Sequence, residues 1–197
     1  MFLSIPASVA LIIGSEQIIS ALFGYGSFSE VSVLNSSKAL YYFGLGLPAF
    51  ALIKVFSTFF FANHDTKTPF YISLFSVLLN ILISVYFFKD IGFIIIPIAT
   101  TISSWFNSLT LFIYLKNSGL FEFNEIFFKK FVKIIFVSIA MGFFFEYLIL
   151  YFENQLSYTF IFKSAYLVLC VLLAIIFYLT LSYFIKAFNY DDIKIKY

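Results

Sequence analysis

Six apolar stretches, each about as long as a helix that crosses a bilayer, dominate this 197-residue chain. A hydrocarbon core about 30 Å thick takes about 20 apolar residues in a helix, and every backbone polar group in it must be bonded within the segment. We therefore predict an all-α integral membrane protein, a six-helix transmembrane bundle that forms a single membrane domain over residues 1–197. The predicted spans are residues 3–23, 39–62, 70–88, 92–115, 131–151 and 161–185.

The composition agrees with this class. Hydrophobic residues make up 62% of the chain and charged residues 11%, whereas a soluble domain carries about 25% charged residues. A net charge of +2 gives no reason to expect a nucleic-acid partner. The chain has one histidine (His64, placed in a surface loop), no arginine and no His/Cys metal spacing. Little remains for acid–base or phosphate chemistry, so a transporter is favoured over an enzyme and no cofactor is expected.

The distribution of lysines predicts the orientation, because lysines gather on the cytoplasmic side of a membrane. With both termini in the cytoplasm, eight lysines lie inside and three outside, and Lys54 falls within the second span. The inner group is Lys67, Lys116, Lys129, Lys130, Lys133, Lys186, Lys194 and Lys196, and the outer group is Lys38, Lys89 and Lys163.

The connecting segments differ in character. Residues 24–38 form a polar outer loop with room for a short surface helix, and residues 63–69 and 89–91 are tight turns. Residues 117–130 have the pattern of an amphipathic helix that lies in the membrane interface. The charged tail, residues 189–197, is predicted to be frayed.

Three ionisable residues fall inside predicted spans, where such groups are costly and therefore candidates for function. Glu16 either lines a polar cavity or reaches the interface, and Glu146 is better placed for the interface. Lys54 either extends its side chain to the cytoplasmic surface or contributes a cavity charge.

Neutral polar residues are concentrated in the third and fourth spans. Asn80 and Ser84 share one face of the third span, being one helical turn apart. Such groups can bond helices together, which is the commoner role, or supply oxygen ligands to a small cation. Trp105 is assigned to packing rather than to substrate stacking. The fourth span carries Thr100, Thr101, Ser103, Ser104 and Asn107.

Glycine and proline interrupt several spans. Gly44, Gly46 and Pro48 cluster in the second span, while Pro6 and Pro97 lie in the first and fourth. Proline removes a backbone hydrogen bond and bends a helix, and broken helices often line transporter cavities. The same residues also occur in inert bundles, so both readings stay open.

One ordered set of motifs is more specific than hydropathy. It begins with Gly-Ser-Glu-Gln-Ile-Ile at 14–19 and Leu-Phe-Gly-Tyr-Gly-Ser-Phe at 22–28. It continues with Leu-Tyr-Tyr-Phe-Gly-Leu-Gly-Leu-Pro-Ala-Phe at 40–50, Lys54, and Phe-Phe-Ala-Asn-His-Asp-Thr-Lys-Thr-Pro at 60–69. Val-Leu-Leu-Asn-Ile follows at 77–81. This set resembles the MurJ (MviN) family of lipid II flippases, although Gln17 stands where that family usually has proline. The resemblance is good over residues 6–115 and only hydropathic beyond.

The resemblance implies a fold and a function. Six helices would match helices nine to fourteen of a fourteen-helix flippase in the multidrug/oligosaccharidyl-lipid/polysaccharide exporter superfamily, so the chain would be the C-terminal part of a longer transporter. It would translocate a lipid-linked peptidoglycan precursor across the bacterial cytoplasmic (inner) membrane by alternating access. Its partners would be that precursor, membrane lipids and the missing N-terminal helices.

The resemblance also assigns site residues. The substrate-cavity candidates are Glu16, Lys54, Asn80, Thr100 and Asn107. The structural turn motif is Asp65, Thr66, Lys67, Thr68 and Pro69, in which Asp65 and Thr68 can cap the next helix and Pro69 suits its first position. Asn80, Ser84 and Thr100 match a sodium site of some family members, and they would bind sodium weakly or not at all, because Ser84 stands where an acidic ligand occurs. Coupling to sodium or to the membrane potential is a further expectation from the resemblance.

Two alternatives stand beside the flippase. One is a six-helix accessory or scaffold subunit of the membrane, and the other is part of a related polysaccharide or drug exporter. The Asp-Thr-Lys-Thr-Pro turn at 65–69 is not expected in that second group, so the flippase is the favoured interpretation.

Overall fold

The computed structural model describes residues 1–119 and 125–187, and all regular secondary structure within them is helical. This confirms the all-α class. The helices are α1 (Ser4–Ile13), α2 (Ser15–Phe23), α3 (Glu30–Ala62), α4 (Lys67–Ile91), α5 (Ile95–Asn117), α6 (Glu125–Tyr151), α7 (Glu153–Leu156) and α8 (Lys163–Phe184), with a 3₁₀ turn at Gly92–Ile94.

Length and hydropathy identify four segments of the described chain that can cross a membrane, or five if the bent pair α1–α2 counts as one span. One of the four, Lys67–Asn117, has 51 residues and consists of α4, the 3₁₀ turn and α5. These segments support the integral membrane class. The number of six crossings stays a prediction.

The described chain folds into two compact units. The first unit contains residues 38–119 and the second contains residues 2–37 and 125–187. The single membrane domain that the sequence predicts stays a prediction.

Helices α4 and α5 of the first unit form an antiparallel hairpin. Asn80 bonds Thr100 and Asn107 bonds Ser73, and both pairs are centred on residue 90, so the chain reverses direction there. Gly92, with φ at 73°, opens the turn in a left-handed conformation that glycine adopts without strain. The tight turn predicted at 89–91 is wrong in position, because these residues end α4 and the turn lies at Gly92–Ile94.

Helix α3 is longer than predicted. It has 33 residues and is therefore about 50 Å long at 1.5 Å per residue. The helix takes in residues 30–38, so the prediction of a loop with a short surface helix there is wrong. Ser29 Oγ accepts a 3.3 Å hydrogen bond from the Ser32 backbone N–H at this helix start.

The predicted first span is broken rather than continuous. Helices α1 and α2 meet at Gly14 with a bend of 78°. A Cβ on Gly14 would lie 2.7 Å from Cε1 of Phe145, a fully buried side chain of α6, so only glycine lets that ring occupy the bend. Pro6 lies in the first turn of α1, where proline is tolerated, and it does not cause the bend.

Helix α6 packs closely against α1 in the second unit. A Cβ on Gly142 would lie 2.6 Å from Cγ1 of Val9 and 2.9 Å from Cδ1 of Ile13. Small residues at helix contacts let backbones approach closely, which is how helices associate in membranes. The core around this contact includes Ala21, Val137, Met141, Phe145, Leu167, Cys170, Ala174 and Tyr178.

Parts of two predicted segments lie outside the described residues. Residues 120–124 belong to the predicted interfacial helix at 117–130, and residues 188–197 contain the predicted frayed tail. Helix α6 begins at Glu125, earlier than the span predicted from residue 131. The interfacial helix and the frayed tail stay predictions.

We expect Gly142→Ala to lower the free energy of unfolding by about 1–3 kcal/mol, because its added methyl group overlaps Val9. Val9→Ala in the same chain should recover part of that loss. Thermal unfolding in detergent of the wild type, both single variants and the double variant measures the coupling. Strictly additive effects would contradict the contact.

Candidate functional site

Polar side chains of α4 and α5 meet in the first unit. The Asn80 amide Nδ2 donates to Thr100 Oγ1 at 3.1 Å and to Ser103 Oγ at 3.4 Å. The Thr100 hydroxyl in turn donates to the carbonyl of Ile96 at 2.8 Å. These bonds join the two helices where the sequence placed its most polar span.

A second polar pair lies further along the same hairpin. The Asn107 Nδ2 donates to Ser73 Oγ at 3.4 Å, and Asn107 itself is buried. Among the described residues, neither the Oδ1 of Asn107 nor the Oγ of Ser84 has a hydrogen-bond partner. Two buried oxygens of this hairpin therefore retain unused acceptor capacity, which is costly in a low-dielectric environment.

The three residues expected to bind sodium do not all offer oxygen to a shared point. Asn80 presents its amide nitrogen to Thr100, and the Thr100 proton is bonded within α5. Hard cations prefer several oxygen ligands, commonly including carboxylates. The described part of the chain brings no cluster of three or more acidic, histidine or cysteine groups together as a metal site. The hydrogen bonds fit interhelical bonding.

Helix α5 also bonds the backbone of α3. The Thr101 hydroxyl donates to the carbonyl of Tyr42 at 2.6 Å, and Trp105 Nε1 donates to the carbonyl of Leu45 at 3.1 Å. Both carbonyls lie in the part of α3 just before Pro48. Hydrogen bonds between helices help to hold helices together in membranes.

Gly46 makes this approach possible, because a Cβ there would lie 3.0 Å from the Thr101 oxygen. The sequence named Thr101 among the polar residues of its span and assigned Trp105 to packing, but gave neither a partner. The signal that could have found them is the Gly44, Gly46 and Pro48 cluster, which marks a weakened stretch of α3.

The ionisable candidates are exposed in their own units. Lys54 projects from α3 in the first unit and Glu16 from the first turn of α2 in the second unit. Among the described residues, no hydrogen bond or ion pair holds the Lys54 ammonium group. Glu146 and His64 are exposed as well, in agreement with their interfacial and surface assignments.

The turn motif caps α4. Asp65 Oδ1 accepts hydrogen bonds of 3.0 Å from the backbone N–H groups of Lys67 and Thr68. Hydrogen bonds from Thr68, through its side chain and then its backbone, hold the pKa of the Asp65 carboxyl below its usual value. Pro69 is the third residue of α4 rather than the first. His64 follows the end of α3 and has a left-handed backbone conformation, with φ at 58°.

A groove of about 230 Å³ lies on the α4–α5 hairpin, and its lining is mainly aromatic. None of the five predicted substrate-cavity residues lines it. The lining residues are Thr68, Tyr71, Ile72, Phe75, Phe106, Thr110 and Tyr114.

Comparison with known proteins decides the family. A model of the family described as "Lipid II flippase MurJ" matches residues 1–192. The chain belongs to the MurJ family. MurJ proteins are transport proteins by that description, so the chain belongs to a transport family. Its several long apolar helices agree with a multi-pass membrane protein.

Individual MurJ relatives agree. A protein of Rhizobium tropici described as a probable lipid II flippase MurJ is 31% identical over 196 residues, which is 98% of this chain and 37% of the relative. A protein of Rhizobium meliloti (strain 1021) with the same description is 40% identical over 112 residues, 57% of this chain and 21% of the relative.

A solved structure, described as lipid II flippase MurJ in an inward closed conformation, superposes with a TM-score of 0.76 at 29% identity. The superposition covers 94% of this chain and 36% of that one. The chain therefore spans less than two fifths of the length of the MurJ proteins it matches.

We expect Thr101→Val to lower the unfolding free energy by about 0.5–1.5 kcal/mol, because it removes an interhelical hydrogen bond. Thr110→Val is the matched control, since the Thr110 hydroxyl bonds Phe106 within α5. Thermal unfolding in detergent should separate the two variants, and equal melting temperatures would contradict a role for Thr101 between helices.

Proposed function

We propose that this chain is the C-terminal portion of a flippase that translocates lipid II, the lipid-linked peptidoglycan precursor, across the bacterial cytoplasmic membrane for cell-wall synthesis. The single observation that supports this most strongly is the family match over residues 1–192, joined by a superposition that covers 94% of the chain. The proposed mechanism is alternating access, in which a cavity opens to one membrane face and then to the other.

Within this proposal, Lys54 binds the headgroup. Lysine is a common partner of phosphate groups, to which it presents a compact point charge. An ammonium group on an apolar helix, exposed and not held by a described partner, can turn toward such an anion. Glu16, Asn80, Thr100 and Asn107 are the other residues proposed to contact the substrate.

A second part of the proposal concerns sodium. Asn80 and Thr100 bond each other, and Ser84 carries a buried oxygen without a described partner. We propose that any sodium bound by Asn80, Ser84 and Thr100 is held weakly, because these three side chains carry no charge. In this proposal, transport by the complete protein is coupled to sodium or to the membrane potential.

The complete protein includes further helices N-terminal to this chain, and those helices and membrane lipids are its proposed partners. Both termini of this chain are proposed to lie in the cytoplasm. The lysine count, eight in the predicted inner group and three in the predicted outer group, supports that orientation.

The two alternatives receive less support. An accessory or scaffold subunit would not need the family match along residues 1–192, and a related polysaccharide or drug exporter would not be expected to match the MurJ description. No contact in either unit favours one of them.

Reconstitution into vesicles tests the proposal. The protein, as its gene encodes it, is inserted with fluorescent lipid II, and translocation is followed as protection from a quencher that cannot cross the membrane. We expect translocation in the wild type. Lys54→Ala should lower the rate roughly tenfold or more, since a hydrogen bond to a charged group contributes about 1.5–3 kcal/mol.

Lys89→Ala is the matched control, because it removes an exposed lysine from the last turn of α4 and should leave the rate unchanged. An inactive wild-type protein in vesicles that contain folded protein would contradict the flippase function. An active wild type with an equally active Lys54→Ala variant would contradict only the role of Lys54.

A further inference from the structure

Lys163 is the most deeply buried charged residue that the structure describes. It is the first residue of α8 and only 1% of its surface is exposed. A lysine at the start of a helix faces the positive end of the helix dipole, so the local sequence does not favour it. Contacts with other parts of the second unit must therefore hold it there.

The ammonium group of Lys163 lies in a cage built from two connecting segments. It donates hydrogen bonds of 2.7 Å to the carbonyl of Gly24, after α2, and of 2.7 Å to the carbonyl of Tyr158, before α8. The rings of Tyr25 and Tyr158 lie 4.5 Å and 4.6 Å from the nitrogen, within the range of cation–π attraction. We call Lys163, Gly24, Tyr25 and Tyr158 together the lysine cage.

The cage stabilises the buried ammonium group, and no carboxylate in the described part of the chain pairs with it. Burying an ammonium group costs free energy unless hydrogen bonds and charges replace its contacts with water. Two carbonyls and two ring faces replace those contacts here. Because the four groups come from separate segments, the charge is stable only while both segments are in place.

The space beside Gly24 is too small for a side chain next to the cage. A Cβ on Gly24 would lie 3.1 Å from the Lys163 nitrogen and 2.6 Å from the Ser20 carbonyl oxygen. A side chain at position 24 would therefore displace the ammonium group or the end of α2. The absence of that side chain lets the carbonyl of Gly24 face Lys163.

Two further bonds join the same segments outside the cage. The hydroxyls of Tyr25 and Ser164 lie 2.7 Å apart, and the Tyr158 hydroxyl donates to the carbonyl of Phe28 at 2.6 Å. Residues 24–28 are thus tied to residues 158–164 at several points. The link is a local one between two turns of the second unit.

We propose that Lys163 is a positioning residue that fixes the end of α2, the helix that carries Glu16. Helix α2 has nine residues, too few to be stable alone. One end of α2 adjoins the Gly14 bend that Phe145 fills, and the other end is held by the lysine cage. The orientation of Glu16 then depends on both attachments. This inference does not depend on the proposed function.

Cysteine labelling tests the proposal in the protein as its gene encodes it, with any cysteine outside these 197 residues replaced by alanine. Ser20→Cys in a Cys170→Ala background reports on α2, because Ser20 is buried one turn before Gly24 and is close to cysteine in size. Cys170, the native and fully buried thiol of α8, reports on the core of the second unit when it is retained.

We expect Lys163→Met to increase the labelling rate of the thiol at position 20 about tenfold in detergent, while Cys170 stays protected. Methionine keeps an unbranched side chain but donates no hydrogen bond. Lys89→Met, which removes an exposed lysine of α4, should change neither rate. Equal rates at position 20 in Lys163→Met and the wild type would overturn the proposal, as would exposure of both thiols, which would make Lys163 a general folding residue.

A milder pair keeps the test decisive if Lys163→Met fails to accumulate. Tyr25 is 42% exposed, so its substitution leaves the core intact. Tyr25→Leu removes the ring over the ammonium group, whereas Tyr25→Phe keeps the ring and loses only the bond to Ser164. We expect faster labelling at position 20 in Tyr25→Leu than in Tyr25→Phe. Equal labelling of this pair would overturn the role of the cage.

Discussion

The absence of water in the membrane core is the constraint on which this structure depends. Backbone groups must be bonded inside each segment, so the described chain is helical throughout its regular structure. The polar side chains follow the same rule. Asn80 bonds Thr100 between α4 and α5, Thr101 bonds the backbone of α3 near Pro48, and Lys163, at the start of α8, bonds the carbonyls of two connecting segments. Each of these bonds joins segments that hydrophobicity alone would not orient, because lipid is as apolar as the helices.

The sequence predicted the class of fold, the family and most helix positions, because the apolar runs and the motifs at residues 14–81 are local properties. It did not predict the bend at Gly14, since the cause is a ring of Phe145 far along the chain. It placed residues 30–38 in a loop, because their polar side chains do not show that α3 extends past the apolar stretch. It did not predict the burial of Lys163, since no local pattern shows that the turn at Gly24 and Tyr25, far away in the sequence, packs against it.

The candidate site was predictable as a set of residue types rather than as a geometry. The sequence named Asn80, Thr100 and Asn107, and the structure shows which partners their hydrogen bonds reach. Glu16 and Lys54 were named for their charge, but they belong to different units of the described chain. The MurJ proteins that the chain matches are more than twice as long, so the groups that complete a transport cavity are proposed to lie in a longer protein.

The size of the native protein tests the central claim most directly, namely that this chain is the C-terminal portion of a longer flippase. A tag is added to the chromosomal copy after Tyr197, and membranes are blotted for it. The account predicts one band at more than twice the 22.7 kDa of this chain, since the solved MurJ structure is covered only to 36%. A single band near 22.7 kDa would contradict it and would favour a self-standing membrane subunit.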